Sequence, residues 1–433
     1  MTHGSKVRTI GVDGISRVEG EGSLRVHVRD GEVTNVALEI FEPPRYFEAM
    51  LVGRHFSEAP DITARICGIC PVAYQMSACA AMEDACGVVV DDKVRALRRL
   101  LYCGEWIQSH ALHVYLLHAP DFLGYADAVE LAQHDRGAVE RGLSLKRTGN
   151  LLMETVGGRA VHPVNVKVGG FYSSPDPSTI AALAEPLQRA RDAALETVAW
   201  VSGFDFPEVV ADYRLVALHE ANNFAIEAGR PTFTDGRDLS VAEFSQLVVE
   251  EHVAHSTALH ARLGGRDHYL TGPLARYAIN GGQLPALALD AAHAAGLAEV
   301  CTNPFQSIVV RAVELVAACD EALSLVERYE PPAPAATDVR PRAGIGTGAT
   351  EAPRGLLLHR YEIDDDGMIL SARIVAPTSQ NQLAIEDDLR KVAQGGLDLD
   401  DHSLQLRCEQ AVRNHDPCIS CAAHFLDVTL EEA

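Results

Sequence analysis

Two short cysteine pairs carry the most specific chemistry in this chain: Cys67-Gly68-Ile69-Cys70 and Cys418-Ile419-Ser420-Cys421, near its opposite ends. A two-residue spacer lets both sulfurs turn to one side, so each pair can chelate a soft metal ion. Four thiolates together bring about four negative charges, which divalent metals largely neutralise. A site made of both pairs would clamp the chain ends together. Spacing alone leaves three readings open: a structural zinc site, a redox dithiol, or a catalytic metal centre. A thioredoxin-type role fits poorly, because no βαβ pattern surrounds either pair. Arg65 precedes the first pair and Asp416 the second, while Glu351-Ala352-Pro353-Arg354-Gly355 reads as a strand entry carrying a cation where the chain turns. A structural zinc loop does not need such buried charges.

These residues must be positioned by two kinds of element. Near the start, Leu24, Val26 and Val28 alternate on one face and Val36, Leu38 and Ile40 on another, around Arg29-Asp30-Gly31-Glu32, which predicts a hairpin. From Pro71 onward, Ala- and Leu-rich spacing predicts helices over 72–86, 93–118, 178–202, 241–262 and 304–329. A Pro-rich passage over 331–341 reads as a surface crossover, followed by a strand pair around Gly367 and helical segments over 385–413. The expected fold class is α+β, mostly helical: a central bundle of long helices, β-hairpin regions toward both termini, and the metal site between the chain ends. Residues 1–433 read as a single domain, with a β-rich part over 1–60, a helical body over 61–330, and a β/helix part over 331–433 that completes the site.

Composition narrows the function further. With 433 residues and 47% hydrophobic content the chain can bury a sizeable core. Its formal net charge of −23, from 37 Lys and Arg against 60 Asp and Glu, argues against nucleic acid or an anionic membrane as partner. No run approaches the ~20 apolar residues of a membrane span, and residues 1–14 lack the apolar stretch of a secretory signal. A cytoplasmic protein is expected, unless a partner's signal carries it across a membrane. Ten cysteines are too sparse for a disulfide scaffold. Outside the pairs, Cys79, Cys86, Cys103, Cys301, Cys319 and Cys408 stand singly, and no Gly-x-Gly-x-x-Gly loop occurs. A redox-active metal centre here would have to pass its electrons to another chain.

Eight segments, in order, resemble the nickel-iron hydrogenase large-subunit family over nearly the whole chain. They are Arg17-Val18-Glu19-Gly20-Glu21-Gly22, Pro44-Arg45-Tyr46-Phe47-Glu48, residues 65–70, Gly158-Arg159, Asn303-Pro304-Phe305, residues 351–355, Ala376-Pro377-Thr378 and residues 416–424. The resemblance implies an enzyme that reversibly and heterolytically cleaves dihydrogen to protons and electrons. It implies a nickel held by all four thiolates, Cys67 and Cys418 terminal, Cys70 and Cys421 also bridging to an iron that carries carbon monoxide and cyanide. It makes Glu19 the base that exchanges protons with the Cys418 thiolate. Arg354 would overhang the site, with Pro353 as wall and Asp416 as its partner, and Arg354 and Thr378 would donate to the cyanides. Glu48, His424 and a backbone carbonyl near Ile374 would hold a structural magnesium. Without the resemblance, Glu19 reads as a surface or salt-bridged glutamate, Glu48 as solvent-facing, and Arg354 as a loop cation.

Residues 42–48 and Ser109-His110-Ala111-Leu112-His113 look most like the soluble, bidirectional NADP-linked group. The rival is the methylviologen-type group coupled to a disulfide reductase. Implied partners are an iron-sulfur small subunit, which holds the iron-sulfur clusters, diaphorase-type flavin/iron-sulfur subunits, a maturation protease and nickel-insertion factors. Two positions depart from many relatives: Tyr74, where a histidine often bonds the bridging thiolate, and Ser109, where membrane-linked uptake enzymes tend to carry aspartate. His110, His113 and His118 read as packed histidines satisfied by ordinary hydrogen bonds. Residues 425–433 resemble a tail that is removed after nickel insertion, and suit a retained terminal strand equally. Other classes are a complex I subunit of the same fold, which lacks the thiolates kept here, a non-catalytic zinc-clamped scaffold, and a hydrogen sensor.

Overall fold

The computed structural model describes residues 7–423. An antiparallel sheet comes first: β1 (Val7–Val12), β2 (Gly22–Arg29) and β3 (Glu32–Ile40), in that order. The predicted hairpin is β2–β3, with Leu24 opposite Leu38 and Val26 opposite Val36. Asp30 and Gly31 both take positive φ at its turn, the conformation that Asp-Gly turns provide. β1 is an addition; Arg8 and Gly11 interrupt its apolar alternation.

The helical body holds α1 (Pro71–Cys86), α2 (Asp92–Leu112), α3 (Arg136–Gly157) and α4 (Ala184–Val201). Pro71 opens α1, where a missing N–H costs nothing, and the Asp91 carboxylate caps α2 by accepting from Lys93 N at 2.8 Å. The predicted helix over 93–118 changes character at Leu112, after which a π-turn runs through His113–His118. The expected helix over 178–202 is broken as well, into Pro177–Ala181 and α4.

The expected helix over 241–262 is corrected. Only Val241–Leu247 is helical, opened by a capping box between Ser240 and Glu243. The chain then forms a hairpin, β4 (Val248–Val253) and β5 (Ser256–Leu263), with Glu251 opposite His260. Ala254, Ala258 and Ala261 imitate a helical face, but β-branched Val248, Val249, Val253 and Thr257 favour pairing, and the tertiary setting decides.

After β5 comes the long helix α5 (Ser307–Glu327), which packs on α2 and α4. A second antiparallel sheet follows: β6 (Gly344–Ala352), β7 (Gly355–Ile363) and β8 (Ile369–Val375). The strand pair expected around Gly367 is β7–β8, and β6 adds a third strand. The expected helical segments over 385–413 are α6 (Pro377–Gly395) and α7 (Asp401–Asn414). Helix α1 lies directly on β6: a Cβ on Gly348 would stand 2.4 Å from Ser77 O, so only glycine permits that approach. The main core joins α1 to α5 with the second sheet, and a second core joins the first sheet to α6 and α7. The α+β expectation stands. Among the described residues no helix is long and apolar enough to cross a membrane.

Candidate metal centre

Cys67 and Cys70 sit where a short helical turn, Ala64–Ile66, gives way to the N-terminus of α1. Main-chain N–H groups of Ile69 and Cys70 donate to the Cys67 sulfur at 3.3 and 3.2 Å. Cys418 precedes a single helical turn, Ile419–Ala422, that contains Cys421, near the end of the described chain. The Cα atoms of Cys418 and Cys421 are 5.4 Å apart. Cys67 and Cys418 sulfurs lie 3.6 Å apart. All four cysteines are buried, and their sulfurs lie within 4.8 Å of one another.

A buried cation lies close enough to this cluster to interact with Cys70 and Cys67. Arg354 occupies the turn between β6 and β7, buried, with its Nη2 3.2 Å from an Asp416 carboxylate oxygen and its Nε donating to the Asp416 carbonyl at 2.9 Å. Burial pulls its pKa down, but Asp416, Cys70, Cys67 and Glu19 outweigh that and raise it. Its Nη1 is buried without a hydrogen-bond partner among the described residues. Arg276 holds the turn from behind, pairing with Glu314 and donating to the Ala352 and Pro353 carbonyls at 2.9 Å each. Asp416 adopts φ +50, a left-handed conformation that Asp tolerates. Hydrogen bonding from Cys70 draws the Cys67 thiol down, with Arg354 assisting against burial, to about 7.

Glu19 reaches the second pair. It forms an isolated parallel bridge with Cys418, and its carboxylate accepts from Ser420 N at 3.1 Å and Ser420 Oγ at 2.6 Å. Gly20, at φ +93, permits this contact, since a Cβ there would stand 2.6 Å from the Ile419 side chain. Thr378, near the start of α6, accepts from Cys418 N at 2.9 Å, leaving its own proton to donate. Glu48 and Ile374 also meet, through the Ile374 N–H at 2.6 Å rather than its carbonyl, beside a small cavity lined by Arg45 and Cys421. His424 lies outside the described residues.

Other expected neighbours behave differently. Arg65 is exposed and supplies no buried charge. His113 donates to the Arg413 carbonyl, 2.8 Å away, and His110 faces Glu314 at 3.1 Å, whereas His118 finds no hydrogen bond among the described residues. Tyr74 and Ser109 are buried with hydroxyls equally unpartnered there. Two contributors escaped sequence reasoning. Ser420 binds Glu19 from between two ligands, and buried Glu105 accepts from Val72 N at 2.6 Å and Ala73 N at 3.1 Å, capping α1 behind Cys70. Only the Cys-x-x-Cys context marked Ser420, and nothing in its helical surroundings marked Glu105.

Residues 45–149 and 295–424 match the family described as nickel-dependent hydrogenase. The chain belongs to the nickel-dependent hydrogenases. It is 32% identical to the alpha chain of sulfhydrogenase 1 from Pyrococcus furiosus over 96% of this chain and 98% of that one. It is 29% identical to a chain of the F420-non-reducing hydrogenase from Methanothermobacter thermautotrophicus, covering 95% and 94%. Among solved structures, an NAD+-reducing [NiFe]-hydrogenase in the H2-reduced state superposes with TM-score 0.87 at 27% identity, covering 96% of this chain and 99% of that one. The hydrogenase is thus of the nickel-iron catalytic type, and its donor set fits: four soft sulfurs in a buried cluster, near a buried cation with one donor to spare.

Proposed function

We propose that this catalytic chain passes electrons through an iron-sulfur small subunit to or from NAD(P), in the cytoplasm, with diaphorase-type subunits completing the path. Support comes from the NAD+-reducing neighbour and from relatives that are themselves subunits of hydrogenases. A maturation protease and nickel-insertion factors belong to the same reading. When bound, nickel and an iron carrying carbon monoxide and cyanide supply the site where dihydrogen is cleaved heterolytically.

The chain's own residues then divide the remaining work. Cys67, Cys70, Cys418 and Cys421 would hold the metals through their sulfurs. Glu19 takes the proton from the Cys418 sulfur; its carboxylate is held in place by Ser420 and its main chain by the bridge to Cys418. Arg354, fixed by Asp416, would offer its unpartnered Nη1 as a hydrogen-bond donor to ligands of the iron, as would the Thr378 hydroxyl, and Pro353 would close the wall. Glu48, a backbone carbonyl near Ile374, and His424 would hold a structural magnesium ion. Hard oxygen donors suit that ion.

The observation that carries this reading is the convergence of four buried sulfurs near the Arg354–Asp416 pair. Metal analysis with infrared spectroscopy of the purified complex tests the centre: nickel and iron with carbon monoxide and cyanide bands are expected, and zinc alone overturns it. For the acceptor, the complex is supplied with dihydrogen and NAD+ or NADP+. Dye reduction without reduction of either nucleotide refutes the NAD(P) assignment.

A further inference from the structure

Away from the cysteine centre, His255, His260 and Glu386 bring ligand atoms within 4.8 Å of one another. His255 lies in the turn between β4 and β5, His260 on β5, and Glu386 on α6. His255 Nε2 is 2.8 Å from Glu386 Oε1, and the two imidazole rings meet edge to face at 5.4 Å.

His260 decides the reading. It is 1% exposed, and among the described residues neither of its ring nitrogens has a hydrogen-bond partner. Leaving a buried donor or acceptor unmade costs about 1–3 kcal/mol, and buried polar groups nearly always find partners. Here an imidazole lone pair with nothing to accept faces a second imidazole and a carboxylate. The carboxylate is itself oriented from behind, since Leu38 N donates to Glu386 Oε1 at 3.0 Å and leaves Oε2 unassigned. Such outer support is what a metal-ligating carboxylate ordinarily receives.

We propose that His255, His260 and Glu386 bind a divalent transition-metal ion of the zinc class, with water in the fourth position. Two imidazole nitrogens and one carboxylate oxygen suit zinc with one open position, whereas magnesium and calcium prefer oxygen donors throughout. The His255 side chain is 34% exposed and gives the ion an entry path. The ion ties the β4–β5 hairpin to α6. Ala258, two residues from His260 on the same strand, bridges Ala423, so the tie braces the wall behind the second cysteine pair while sharing no ligand with it.

The test uses the purified holoenzyme complex, treated with a chelator and then given Zn2+ alone. One zinc per catalytic chain is expected to survive gel filtration. His255→Gln and Glu386→Gln are expected to weaken zinc binding by more than the roughly 10- to 100-fold that loss of an outer partner costs, with nickel content and dihydrogen-dependent dye reduction unchanged. His255 is partly exposed, and Glu386→Gln keeps the oxygen that Leu38 uses, so both variants fold. With Co2+, visible d–d bands without thiolate charge-transfer bands are expected. Failure of the wild-type complex to retain zinc overturns the site, as does equal retention by both variants or a thiolate band with cobalt.

Discussion

Glu19 and Cys418 are joined main chain to main chain: they form a parallel bridge, and Ile419 N donates to the Glu19 carbonyl at 3.0 Å. The proposed proton acceptor is therefore positioned by backbone, and its side chain is free to change chemistry without losing its place. Glu19→Gln keeps an oxygen for Ser420 but removes the base. Hydrogen/deuterium exchange is expected to fall by about 10²-fold or more, while the infrared signature and metal content stay unchanged. Undiminished exchange removes Glu19 from the role.

Arg354 and Asp416 form a pair with side chains only 3% and 1% exposed. Removing one partner of a buried pair leaves an uncompensated charge, which costs about 3–5 kcal/mol. Asp416→Ala is expected to lower the unfolding free energy on that scale and to abolish activity. Arg354→Lys keeps the charge but loses the planar fork, so it is expected to fold and bind nickel while losing most turnover. Calorimetry and dye-reduction assays separate the two outcomes.

Thr378 accepts from Cys418 N at 2.9 Å. Thr378→Val leaves that buried amide unsatisfied, at about 1–3 kcal/mol, and is expected to lower nickel occupancy. Thr378→Ser restores the hydroxyl and is expected to recover both nickel and activity; failure of serine to rescue shows that the methyl group matters instead.

Burial pushes the Glu314 carboxyl up, but Arg276 and His110 bring it down to about 2, from an ordinary 4.5. A depressed carboxyl stabilises the fold fully above 4.5 and ceases to do so as pH falls from there through about 2. Acid unfolding of the complex is expected to show this loss, and Glu314→Gln to flatten it. An identical acid limb in the variant refutes the assignment. Because Arg276 also holds the Pro353 carbonyl, the variant is expected to loosen the turn that carries Arg354.

Much of this centre was legible because its chemistry depends on residue type at short spacing. The Cys-x-x-Cys pairs, the Arg354 turn and Asp416 are local signals, and the first hairpin announces itself by alternation and Asp30-Gly31. What escaped is decided at long range. Glu105 meets Val72 across helices, and Ser420 gains meaning only once Glu19 lies beside it. The 248–263 hairpin escaped because alanine fits both periods. Arg65 misled for the opposite reason: adjacency in sequence to Cys67 does not place a side chain inside.

The bridge between Glu19 and Cys418 has a consequence for biosynthesis. Ribosomes deliver Glu19, Cys67 and Cys70 early, and Cys418 and Cys421 only some 350 residues later. A chain stalled or released before residue 421 carries an incomplete donor set, and its Glu19 main chain has no strand to pair with. Under the proposed ligand set, a chain that stops short of the second pair offers a metal only two of its four sulfurs.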